Sequence, residues 1–162
     1  MSTISWKELE RQAPEFAEAG RRLLFEEVAF IATVSRAGKP RVAPFCPIFA
    51  GDHVYVSAGA TTSKRYDLED DGRYVVHALL GPSDEEFQIA GRGVLLAEGA
   101  ERAAVHAAIH FQFDPEDPVF RLEIERSLWG HWEKVGQPGT YPVKRRYRAG
   151  EGERPVEVGS PV

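Results

Sequence analysis

Apolar positions along this chain recur at two spacings, and the switches between them mark its elements. Trp6, Leu9, Phe16, Leu23 and Leu24 recur at approximately helical spacing, which predicts helix over residues 3–26. Pro14 marks a helix start or divides two short helices. From residue 28 the pattern shifts to runs rich in Val, Ile, Phe and Thr, and strands are predicted over 28–35, 41–49, 53–57, 73–80 and 86–98. Arg36-Ala37-Gly38-Lys39-Pro40 and Gly51-Asp52 are the turns between the first three. Pro44 and Pro47 place the second strand at an edge or a bulge, because proline lacks the ladder N–H. Gly91 and Gly93 predict a bulge or a close backbone approach in the long strand.

Short helices are predicted over 63–70 and 100–112, the second with Val105 and Ile109 on one face. The alternation VFRLEIE reads as a half-buried strand over 119–125, with 129–135 continuing the sheet and a last strand over 141–147. About seven short strands, mostly joined by tight turns, favour a mainly β (α+β) antiparallel barrel, closed or nearly closed, over a doubly wound sheet. No internal repeat appears, so one domain over 1–150 is expected, followed by a Gly-, Pro- and Glu-rich tail at 151–162 that frays or wraps a neighbour.

The bulk numbers narrow the function classes. The 162 residues carry a net charge of −5, which argues against nucleic acid as a partner. The single cysteine, Cys46, excludes an internal disulfide and a multi-cysteine metal site. Its expected role is that of a small buried filler. The polar start MSTISWKELERQAPEF has no apolar segment of the kind a secretory signal needs, and no apolar run is long enough for a membrane span. A soluble, cytoplasmic protein with no membrane contact is the expectation.

Small residues, hydroxyls and a cation converge in one place, Ser57-Ala58-Gly59-Ala60-Thr61-Thr62-Ser63-Lys64. This segment joins a strand end to a helix start. Thr62 or Ser63 can cap that helix, whose free amides and dipole favour an anion. Lys64 adds a point charge, and Thr61, Thr62 and Ser63 add hydroxyl donors. The arrangement suits a phosphate, although it is not a Walker loop. A capped helix following a flexible loop, with one solvated lysine, explains the same residues. Arg41, at the start of the proline-bearing strand, can reach a phosphate by bidentate contacts or remain an ordinary surface arginine.

Other chemistry-bearing residues point to structure. His106 and His110, four apart on a predicted helix, share a face but lack a third metal ligand. His77 reads as a core residue or a pocket donor. Asp84-Glu85-Glu86 reads as a solvated loop. Lys144-Arg145-Arg146 with Arg148 alternates along a strand, so its charges are sent to two faces.

FIATVSRAGKPRVAPF, then VYVSAG with TSKRYDL, then EFQIAGRGVLL, resemble the pyridoxamine 5'-phosphate oxidase-like family of flavin-binding split β-barrels. The resemblance covers about residues 25–98, with VFRLEIE and PVKRRYR adding weaker support. It implies a homodimer with FMN at the interface. By position, Arg41 and Val42 fall on the strand giving an arginine and backbone contacts to the flavin, with Ala43 and Pro44 beside them. Ser57 and Ala58 fall at the strand end near the ring. Thr62, Ser63 and Lys64 fall on the phosphate-binding stretch. Gln88 matches a polar position reaching the flavin from the other subunit, at an offset register. Trp129 and Trp132 are candidates for an aromatic cover, with core packing as the alternative.

The resemblance also departs from the pattern. The substrate-binding close of the true oxidases is absent from YPVKRRYRAGEGERPVEVGSPV, so vitamin B6 oxidation is not implied. What it implies is redox of an unidentified small molecule with FMN, or with a deazaflavin coenzyme; the non-catalytic alternative binds haem or flavin. No catalytic side chain is assigned, because hydride and electron transfer belong to the cofactor.

Overall fold

A computed structural model describes residues 2–25 and 28–156. Two helices open the chain, α1 (Trp6–Gln12) and α2 (Pro14–Leu24). The Ser5 hydroxyl accepts the Glu8 amide at 3.1 Å, an N-terminal cap on α1. Pro14 occupies the first turn of α2, where its missing N–H costs nothing, so it divides the two helices.

The nine strands are β1 (Ala29–Val34), β2 (Pro40–Phe45), β3 (Ile48–Ala50), β4 (His53–Ser57), β5 (Arg73–Ala78), β6 (Glu86–Leu95), β7 (Val119–Glu133), β8 (Tyr141–Arg148) and β9 (Gly152–Pro155). Helix α3 (Ser63–Asp70) follows β4, and α4 (Ala100–Ala108) follows β6. The strands form one antiparallel sheet in the order β2-β1-β5-β6-β7-β4-β3, with β8 and then β9 added alongside β7. The two ends of that path, β2 and β3, are consecutive in sequence. The chain crosses from one end of the path to the other at Cys46-Pro47, and β2 and β3 do not pair with each other.

Several expectations need correction. The strand predicted over 41–49 is two strands broken at Cys46-Pro47, since Pro47 cannot donate to a ladder. The helix predicted over 100–112 stops at Ala108. His110 therefore lies beyond it and shares no helix face with His106. The segments 119–125 and 129–135 are one strand, β7. The tail predicted to begin at 151 supplies β9 through Pro155; residues 157–162 lie outside the described residues. Cys46 is half-buried rather than buried. Glu85, expected in a solvated loop, is buried: it accepts both Arg22 guanidinium nitrogens at 2.8 Å and the Trp129 indole N–H at 2.9 Å. The Arg22 bonds hold its carboxyl below the usual carboxylate range.

The main core lies between the sheet and α1–α2. Phe16, Phe87, Phe120, Leu9, Leu24 and Ile31 are fully buried in it. A smaller core of Ile48, Tyr55, Leu96, Val105 and Val119 sits under α4. The ladder between β6 and β7 shifts register between Ala90 and Gly91, the predicted bulge.

Strand register arranges the opposite face of the sheet into two rows. One runs Pro44–Phe30–His77–Gln88–Leu128–Arg146–Arg154 across β2, β1, β5, β6, β7, β8 and β9. The other runs Val42–Ala32–Val75–Ala90–Arg126–Arg148. Phe30 and Val42 are 42% and 68% exposed, so the β1–β2 end of this face is apolar and uncovered.

Candidate functional site

The predicted cradle forms where the edge strand β2 meets the start of α3. The turn before α3 is held rigidly. The Ala58 amide donates to Pro118 O at 2.9 Å, the Ala60 amide to Asp117 Oδ1 at 2.9 Å, and the Thr62 amide to Gly59 O at 2.9 Å. These bonds bring Lys64 against β2, where its Nζ donates to the Pro44 carbonyl at 3.2 Å. That carbonyl is open to Lys64 because β2 is the end of the sheet path.

Lys64 is half-buried and is paired with no carboxylate among the described residues. Its burial pulls its pKa below the usual lysine range, the sign of an ammonium that has lost water without gaining a counter-ion. Thr62 is the N-cap of α3, but its hydroxyl donates to Gly59 O at 2.8 Å instead of capping the helix. The first amides of α3 are therefore left without a side-chain cap, next to Lys64 and the exposed Thr61 and Ser63.

The other predicted residues separate. Arg41 sits on the face of β2 shared with Thr33, turned toward α3, with its Nη1 3.5 Å from the buried Asp67 carboxylate. Asp67 also accepts the Thr33 hydroxyl at 2.8 Å. Arg41 thus flanks the cradle through an existing ion pair. Val42 and Pro44 point to the opposite face, and Ala43 lies between them. Ser57 ends β4, half-buried, while Ala58 is in the core, so its methyl and amide are both consumed.

Gln88 lies in the row of Pro44 but three strands away, roughly 14 Å at 4.8 Å per strand. Trp132, 41% exposed, is on β7 beyond Gly130. Neither meets the Lys64 cradle within one chain. Trp129 packs on the main core and on Phe16, which is the packing role.

Arg65, the second cation of the predicted loop, donates to Ala60 O at 2.8 Å and to Glu69 at 3.0 Å, and so braces the turn. Asp67 was missed by sequence reading. The signal available was an acidic residue three positions after Lys64 on a helix, spacing that by itself does not separate a buried carboxylate from a surface one.

A second concavity, about 370 Å³, opens beside α4. There the Tyr55 hydroxyl donates to Glu101 at 3.0 Å, and Arg121 bridges Glu101 at 3.0 Å and Glu123 at 2.6 Å. Burial raises the Tyr55 phenol above its usual range. Each charge there is answered, so the network serves as a tether for α4. No group of three or more metal-ligating side chains occurs among the described residues. No helix among them is long and apolar enough to cross a membrane.

No family model matches the chain, and no curated protein matches it. Solved structures do. A pyridoxamine 5'-phosphate oxidase-related, FMN-binding protein from Nostoc punctiforme superposes with a TM-score of 0.63 at 12% identity, over 97% of this chain and 100% of that one. HupZ from Group A Streptococcus gives 0.61 at 18% identity, over 72% and 92%. HutZ, the haem storage protein of Vibrio cholerae, gives 0.52 at 14% identity, over 70% and 90%. Identities this low speak to architecture alone. The chain has the split-barrel fold of the pyridoxamine 5'-phosphate oxidase-like proteins.

Proposed function

We propose that this protein is a flavin-binding oxidoreductase that holds the phosphate of FMN at Lys64. The observation that carries the reading is the desolvated, carboxylate-free Lys64 ammonium beside the uncapped start of α3. A phosphate there regains the charge partner that burial withholds. The fold likeness to an FMN-binding protein supports the reading. Ser63 and Thr61 offer hydroxyls, and Arg41 flanks the site with its charge already shared with Asp67. The β2 backbone over Val42–Pro44 offers edge groups to a ring. When bound, the flavin supplies hydride or electron transfer; this chain binds and orients it, and no side chain is assigned a proton.

Titration with FMN, followed by absorbance, tests the site. Lys64→Ala should weaken binding by about 1.5–3 kcal/mol, roughly tenfold to a hundredfold in Kd. Unchanged affinity in that variant would remove the phosphate assignment. A deazaflavin coenzyme is the nearest alternative and would use the same cation, so a parallel fluorescence titration separates the two. Haem is the second reading, favoured by the likeness to HutZ; a Soret band on reconstitution, with no flavin uptake, would replace the flavin proposal.

The working unit is proposed to be a homodimer joined through the uncovered face of β1 and β2. Gln88 and Trp132 lie far from their own cradle, and a two-fold partner can bring equivalent groups to it. Exposed Phe30 and Val42 supply the apolar contact. Val42→Asp should lower the dimer population in sedimentation velocity and weaken cofactor binding in parallel. A variant that remains dimeric and binds normally would place the interface elsewhere.

A further inference from the structure

The connection from α4 to β7, residues 109–118, carries Asp114-Pro115-Glu116-Asp117, a sequence suited to a tight turn. The Asp114 carboxylate accepts the Glu116 amide at 3.0 Å, and the Asp114 carbonyl accepts the Asp117 amide at 2.9 Å. Pro115, at the second position, presets the backbone. Asp117 is therefore placed by its own turn. Its carboxylate accepts the amide of Ala60, 57 residues earlier, which holds the turn ahead of α3. The carbonyl of Pro118, the next residue, takes the Ala58 amide.

Arg102 of α4 ties that turn to the protein. Its Nη2 donates to the Pro115 carbonyl at 2.8 Å and to the Asp117 carbonyl at 3.3 Å, and its Nη1 meets the Glu98 carboxylate at 2.5 Å. The Arg102 side chain is 12% exposed, and its Nε is buried without a hydrogen-bond partner among the described residues. Leaving a buried donor unanswered costs stability. Glu98 is 84% exposed, so a pairing this open to water does not explain a buried guanidinium. Two converging carbonyls, Pro115 and Asp117, sharing one cation do explain it. The other side of Ala60 is gripped as well, since its carbonyl accepts Arg65 Nη1 at 2.8 Å. One residue, four before Lys64, thus stands between a carboxylate and a guanidinium.

We propose that Asp117 and Arg102 are positioning residues for the phosphate cradle, Arg102 acting through Asp117 and Asp117 through the Ala60 amide. This role rests on the reading of Lys64 as the phosphate cation, and it makes cofactor affinity depend on α4, the helix over the smaller core. The Asp117 charge itself opposes an anion. It lies near enough to Lys64 to act on that ammonium, working against the fall in pKa that burial causes. What Asp117 gives the site is its hydrogen bond, against its charge. An asparagine preserves the acceptor and removes the charge, whereas an alanine removes both. The two substitutions therefore separate in anion binding, which a general loss of stability does not produce.

FMN titration by absorbance compares the parent with Asp117→Asn, Asp117→Ala, Arg102→Met and Arg102→Met/Asp117→Ala, with Lys64→Ala alongside. Asp117→Asn should bind at least as tightly as the parent, any gain fading at high salt. Asp117→Ala should bind at least about fivefold more weakly. Arg102→Met, which keeps an apolar stem, should weaken binding about threefold or more. The double variant should match Asp117→Ala within about twofold, because both residues act along one line. Hydrogen exchange at the Ala60 amide, read by NMR without ligand, should quicken at least about fivefold in Asp117→Ala and Arg102→Met and stay near the parent rate in Asp117→Asn. Parent-like FMN affinity in Asp117→Ala, equal losses in Asp117→Asn and Asp117→Ala, or additive losses in the double variant overturn the proposal and leave Lys64 in place. Unchanged exchange at Ala60 overturns it as well. If Lys64→Ala binds as the parent does, or the parent takes up no FMN, the reading of Lys64 fails and the positioning role fails with it.

Discussion

Gly91→Ala should destabilise the protein by about 3 kcal/mol or more, although it adds one methyl to a strand. A Cβ at Gly91 would stand 1.9 Å from the Glu123 carbonyl oxygen and 3.0 Å from both Glu123 C and Glu125 N. All three are backbone atoms of β7 at the bulge, where Gly91 pairs with Ile124 and Ala90 with Arg126. Backbone in a ladder cannot rotate away as a side chain can. Accommodation requires β6 and β7 to separate at the centre of the sheet, breaking hydrogen bonds on both sides. Gly93, two residues on, is the control. Its added Cβ would meet the end of the Leu68 side chain at 3.1 Å, which can shift by a few tenths of an ångström, so Gly93→Ala should cost under about 1 kcal/mol. In a domain of this size the Gly91 substitution corresponds to a fall in Tm of about 6–12 °C. Melting within about 2 °C of the parent, read by circular dichroism, would show that the strands yield more easily than this geometry allows.

Phe87→Ala should cost about 3–5 kcal/mol, the range for emptying an aromatic site in a packed core. Phe87 is fully buried on β6, and its ring meets Trp6 at 6.1 Å and Phe16 at 5.7 Å between centroids. Gly20 of α2 is the third wall: a Cβ there would come within 2.2 Å of the Phe87 ring. The close approach of α2 to the sheet is set by this ring against that glycine. Without the ring, α1 and α2 lose the centre of their contact, and neither helix is long enough to hold on its own. Denaturant titration should show a lower midpoint with an unchanged slope. A loss below about 1.5 kcal/mol would mean that Trp6 and Phe16 collapse into the space.

Both residues illustrate how differently the levels of the structure are written in the chain. Gly91 stands in a strand pattern, and an interrupted strand is visible as a bulge or close approach without coordinates. That Gly91 is the crowded position and Gly93 the tolerant one is decided by what β7 places beside each. Phe87 is one of nine phenylalanines, and nothing in its local spacing separates it from Phe30, which lies 42% exposed on the opposite face.

Local physics determined the elements, because spacing, turn chemistry and proline act over a few residues. The helix break at Pro14, the Gly38 turn, the α3 start at Ser63 and the edge character of β2 follow from their own sequence. The likeness of the ordered segments to flavin-binding split barrels pointed to the fold, and the solved structures agree with it. Contacts between distant residues were decided only by the tertiary structure. Asp67 becomes a buried partner of Thr33 because β1 passes beneath α3, and Arg41 joins it because β2 pairs with β1. Lys64 is distinguished from other lysines by burial against a proline carbonyl twenty residues earlier. The basic run of β8 sends Arg146 and Arg148 to one face and Arg145 to the other, as alternation requires. Whether those charges were answered or left open depended on which strands came to lie beside them, and no single strand carries that information.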